Sequence, residues 1–170
     1  MSDAARWPRP HWQARPGEDA LLLYFVFGDF PRKLNVPLGK YSSRGLPEGV
    51  QLYRHPHEQL RQWEGYPLGG ALGEILREDS PQAVARAETA GEVLSVRGSV
   101  ADPASLDYLR DTIGVVAGLL DLGGNSVVDP QMLSLFPAAT WRAQDPVRKG
   151  DPPRRHVCTQ AHAARSRGRG

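Results

Sequence analysis

Cysteine is nearly absent from this 170-residue chain, with Cys158 its single example. No disulfide can close within it, which excludes the cystine frameworks of small secreted domains. Long apolar runs are missing too. Nothing approaches the roughly 18 residues that a membrane-spanning helix needs, so no membrane partner is expected. The Leu21–Phe27 run follows Glu18 and Asp19 and precedes Gly-Asp-Phe-Pro. That arrangement lacks the basic start and small-residue cleavage site of an export signal, so a cytoplasmic location is expected. There is no internal repeat, no heptad pattern, no Gly-x-Ser-x-Gly and no His-Glu-x-x-His. What remains is a chain with 40% apolar residues, enough for one core and therefore not wholesale disorder.

A net charge of +2 conceals two unlike parts. Residues 1–141 hold 13 basic and 17 acidic residues, while residues 142–170 hold eight basic residues and only Asp145 and Asp151 as acids. The acidic body is a poor match for nucleic-acid phosphate; the arginine-rich end suits nucleic acid or an acidic partner. With no apolar periodicity, residues 145–170 are expected to be a disordered basic tail. Such a composition can also come from a GC-rich gene translated in a shifted frame, and on that hypothesis the native fold is expected to end near 141–145. Residues 1–17, with three prolines, two tryptophans and three arginines, read as an N-terminal arm. This leaves 18–144 as a single domain.

Within that domain, 20–27 reads as a central strand covered on both faces, and 50–54 alternates like a half-buried strand. The intervening 30–49 is a long irregular connection, of a length that is uncommon unless functional. Short helices are expected over 57–63, 67–78 and 82–90, the last opened by Ser80-Pro81. A strand over 92–100 precedes Asp102-Pro103, a helix-start signal, and a helix to about 122 with Leu106, Leu109, Ile113, Val116, Ala117 and Leu120 on one stripe. Asp107, Arg110, Asp111 and Asp121 fall mostly off that stripe and read as a solvated face. Gly123-Gly124 ends the helix. A strand follows over 125–129, Pro130 opens a helical turn, and a last turn surrounds Trp141. The whole predicts an α+β domain: a small mixed β-sheet with helices packed on it.

Residues 92–141 run strand, Leu-Asp-Tyr-Leu-Arg-Asp helix, Leu-Leu-Asp-Leu-Gly-Gly turn, Val-Val-Asp-Pro, terminal Trp. In that order they resemble the C-terminal half of an uncharacterised bacterial family, a domain of unknown function. The resemblance implies no catalytic residue.

Few residues carry recognisable chemistry. His55-Pro56-His57-Glu58 offers two imidazoles and a carboxylate at close spacing, donor types that suit zinc or another divalent metal. His156, Cys158 and His162 offer ligand types in the tail, without a folded frame. Asp107 and Asp111 could divide acid and base roles only inside an enclosing pocket. Gly69-Gly70-x-x-Gly73 lacks the spacing of a phosphate loop, and with Gly114-x-x-x-Gly118 it fits close packing better. No cofactor loop is present. The leading expectation is a non-enzymatic binding or interaction domain for a protein or small-molecule ligand. The alternatives are a metal-dependent enzyme using the 30–49 connection with His55, His57 and Glu58, and nucleic-acid binding through the tail.

Overall fold

A computed structural model describes residues 6–15, 17–60, 62–101 and 104–144. The basic tail, with His156, Cys158 and His162, and the Asp102-Pro103 signal lie outside the described residues. Among these residues five strands form one sheet in the order β2-β3-β1-β4-β5: β1 (Asp19–Gly28), β2 (Val50–Pro56), β3 (Glu92–Ala101), β4 (Gly124–Asp129) and β5 (Ser134–Pro137). The α+β class holds, but the pairing is not mixed, since all four neighbouring pairs are antiparallel. β3 and β4 do run in the same direction, as a helical crossover favours. They flank β1 on either side instead of pairing with each other.

Side chains alternate across β1. Tyr24 and Val26 join Leu94, Val96 and Val127 in one core, whereas Phe25 and Phe27 join Val93, Val128 and Leu135 in another. A strand apolar on both faces needs helices on both. α4 (Asp107–Asp121) and α5 (Ala138–Gln144) cover the first face; α2 (Gly70–Asp79) and α3 (Pro81–Glu88) cover part of the second. Trp141 of α5 meets Tyr24 and Phe136 edge-on, with ring centroids 6.0 and 5.7 Å away.

α4 departs from the amphipathic pattern. It starts at Asp107, later than the sequence signal suggests, and every residue from Leu109 to Leu120 is buried. The 30–49 connection explains this. It contains a 3₁₀ turn (Leu38–Tyr41), and its Leu34, Val36, Leu38 and Leu46 pack onto the first core. Three ionic ties hold it down. Arg54 grips Glu92 and the carbonyls of Phe30, Pro31 and Arg32. Asp121 accepts from Lys40 and Tyr41, and Asp111 accepts from Arg44. The strap crosses α4 at its two glycines. A Cβ on Gly114 would sit 2.7 Å from the Tyr41 carbonyl oxygen, and one on Gly118 would overlap Val36.

The Pro130 segment is not helical. Asp129 Oδ1 accepts from the amides of Gln131 and Met132 at 3.0 and 3.2 Å, and Leu133 takes a left-handed φ of 50°. An aspartate holding the backbone two residues ahead makes a turn, and β5 returns along β4. Burial pushes the Asp129 carboxyl up to about 6 against those two amides, and with Asp129 it also pushes the Tyr24 hydroxyl up. The folded chain therefore holds this proton more tightly than the unfolded chain. Its contribution is complete below about pH 4 and is lost as pH rises through about 6, a change on the order of 3 kcal/mol. Asp129→Asn keeps an oxygen acceptor without the ionisation. Urea titrations at pH 4.5 and 7.5 should show this component missing from the variant; identical pH slopes in the two proteins would refute it.

Candidate functional site

A pocket of about 580 Å³ opens on the second face of the sheet, between the segment after β2 and the end of α3. Pro56 ends β2, and α1 (His57–Leu60) supplies His57 and Leu60 to the pocket lining. The chain then runs without regular structure through Trp63-Glu64-Gly65-Tyr66-Pro67, since a glycine and a proline so close together deny a helix its ladder. Trp63, Glu64, Tyr66, Glu88 and Ala90 line the pocket with side chains. Gly69 and Gly70 add lining without side chains, Gly70 at a left-handed φ of 60°.

The aromatic wall is braced from below. The Trp63 indole lies flat on the His55 imidazole, centroids 3.7 Å apart and planes within 9°. Its edge contacts reach Phe25 at 5.8 Å and Tyr66 at 6.4 Å, and Tyr66 in turn meets Phe27 at 6.1 Å. His55 Nε2 is hydrogen-bonded to Ser95 Oγ at 3.0 Å across the β2–β3 pair. Burial first, and the Arg97 charge second, hold the imidazole below its usual pKa. At neutral pH it is a neutral ring stacked on a neutral ring. The Ser95–His55 contact has the look of a nucleophile–base pair, but Ser95 is 0% exposed. With no path for a substrate to its hydroxyl, the pair positions Trp63.

The pocket rim is acidic. Glu64 is exposed, and Glu88 Oε1 accepts from Arg77 Nη2 at 2.7 Å. Burial, then the Glu88 charge, pushes the Tyr66 hydroxyl up, so it stays protonated and able to donate.

Of the expected metal ligands, His55 faces Ser95 and Trp63, His57 lines the pocket, and Glu58 is exposed on α1. Among the described residues no three His, Cys, Asp or Glu side chains gather to hold a metal ion. The proposed partner of these residues in an enzyme site, the 30–49 connection, packs mainly on α4 across the sheet from them. Asp107 and Asp111 are not a solvated face. Asp111 Oδ1 accepts from Arg110 Nη2 at 3.0 Å, with both side chains nearly buried, and Asp107 Oδ1 accepts from the Trp7 amide at 2.9 Å. Gly73 serves close packing: a Cβ there would overlap the Leu68 carbonyl, and the amides of Gly69 and Gly73 already donate to Tyr66 and Gly69.

Trp63, Tyr66, Glu64 and Glu88 were not singled out by any motif. The one visible signal was a Trp-Glu-Gly-Tyr run bearing two aromatics where no helix or strand could continue.

Fold and site together define a three-layer α+β domain with a central antiparallel sheet and an aromatic, acid-rimmed pocket beside one outer layer. The chain matches no protein-family model, no curated protein and no solved structure. No helix among the described residues is long and apolar enough to cross a membrane.

Proposed function

We propose that this chain is a non-enzymatic binding module whose ligand occupies the pocket beside Trp63 and Tyr66. The observation that carries this reading is the braced aromatic corner. Two rings are held at 61° to each other, one of them locked by stacking on His55, and they line a cavity of about 580 Å³. That size lies within the range of small-molecule and side-chain pockets, which pair apolar walls with a few polar groups for orientation. Rigid aromatics supply contact area at small entropic cost. The acidic rim disfavours nucleic acid as the body's ligand. The near absence of cysteine fits a cytoplasmic chain.

A fragment set of mixed charge, titrated into the uniformly ¹⁵N-labelled full chain, tests the reading. Shift changes should converge on the Trp63 indole and the amides of Gly69, Gly70 and Ala90. Changes confined to other surfaces, or none at all, would remove the pocket from consideration.

A further inference from the structure

We infer that the pocket receives a guanidinium group, held between the aromatic corner and the Glu64 carboxylate. The inference rests on the pocket being the binding site and adds the chemistry of its occupant. A cation is attracted to the negative face of an aromatic ring, most strongly to tryptophan, and two rings at an angle present two such faces. Trp63 and Tyr66 stand in that relation, 6.4 Å apart and inclined at 61°. A guanidinium adds what an ammonium lacks: a plane that stacks on a ring and a fork that matches a carboxylate.

The rim already displays this preference. Arg77 places its Nη2 2.7 Å from Glu88 Oε1, and its positive charge reaches the Tyr66 hydroxyl. One guanidinium of the chain itself thus sits on one carboxylate of the mouth. Glu64, also in the lining, is exposed and has no ion-pair partner among the described residues. The surrounding segment 57–90 carries six acidic residues against three arginines. Its field concentrates cations and repels anions. The guanidinium could belong to a free arginine-like molecule or to an arginine side chain of a basic protein.

An isosteric pair isolates the charge. Ethylguanidinium and neutral ethylurea, titrated into the labelled full chain, should both be read at the Trp63 indole and the Gly69 and Gly70 amides. Ethylguanidinium is expected to bind about tenfold more tightly than the urea. Trp63→Ala should abolish the response. Glu64→Gln, an exposed change that leaves folding intact, should weaken it roughly threefold and reduce its salt dependence. Free arginine and N-acetyl-arginine amide then separate the two sources. Tighter binding of the free amino acid assigns a small molecule, and tighter or equal binding of the capped residue assigns a protein side chain. Equal binding of ethylurea and ethylguanidinium, or no response to the guanidinium, overturns the inference. If neutral fragments still bind at the same amides, the binding-module reading survives; if no fragment does, both fall.

Discussion

Asp111→Ala is expected to lower the unfolding free energy by about 3–5 kcal/mol, the usual consequence of removing one partner from a buried ion pair. The side chain is 6% exposed and faces Arg110, which is 3% exposed, at 3.0 Å. Its Oδ2 accepts from Arg44 Nε at 3.0 Å and its Oδ1 from the Arg44 amide at 3.2 Å, while its own carbonyl accepts from Ser43 Oγ at 2.6 Å. One carboxylate therefore serves a buried guanidinium and fastens the strap to α4. Its loss takes away the nearer of two carboxylates that face Arg110 among the described residues, the other being Asp107 at 3.4 Å. The strap would lift first, exposing Gly114 and Gly118. Chemical denaturation, with hydrogen exchange at Arg44, reads both effects. A loss below about 1 kcal/mol would mean that the carboxylate behaves as an exposed charge. Replacing the pair by Arg110→Met with Asp111→Leu should recover much of the stability, since well-packed apolar groups often match a buried ion pair.

Trp7→Ala should cost a comparable amount, about 3–5 kcal/mol, the range for truncating a buried aromatic. The indole is 1% exposed within the first core. Around it the arm is sewn to the entry of α4. The Trp7 carbonyl accepts from the Leu106 amide at 2.8 Å, and the Arg9 amide donates to the Ala104 carbonyl at 3.0 Å. Pro8 bridges Ser105, and the Trp7 amide reaches Asp107 Oδ1. Losing the anchor should release this short ladder, so the Arg9 and Leu106 amides should exchange much faster in the variant, while amides of β1 and β3 speed up only in step with the loss of global stability. Unchanged protection at Arg9 would show the arm held by its backbone bonds alone. Trp7→Phe should fall between, because it keeps most of the apolar volume.

Much of the architecture was legible in the residues. The unbroken 21–27 run predicted a strand covered on both faces, and β1 occupies the middle of a sheet with helices on each side. Ser80-Pro81 marked the start of α3, and Gly123-Gly124 the end of α4. Gly114 and Gly118 indicated a close approach, which the strap makes. Where the pattern misled, a distant partner intervened. Met132, Leu133, Leu135 and Phe136 have helical spacing, but Asp129 captures two amides and β4 offers an edge, so the segment pairs as β5. The pocket was hardly legible: His55 was visible as a candidate ligand, but its role behind Trp63 depends on Ser95, forty residues away on β3.

By itself the sequence determined the α+β class, the central strand, the start of α3 at Ser80-Pro81, the end of α4 before Gly123-Gly124, and the acidic balance of the body, because these follow from local periodicity, backbone chemistry and charge. Tertiary structure alone decided the antiparallel pairing, the burial of Arg110 and Asp111, the partial cover of Asp107, and the aromatic corner. Each of those depends on groups brought together from far apart along the chain. A charged stripe looks the same in sequence whether water or a strap covers it; only the packing of 30–49 on α4 settles which.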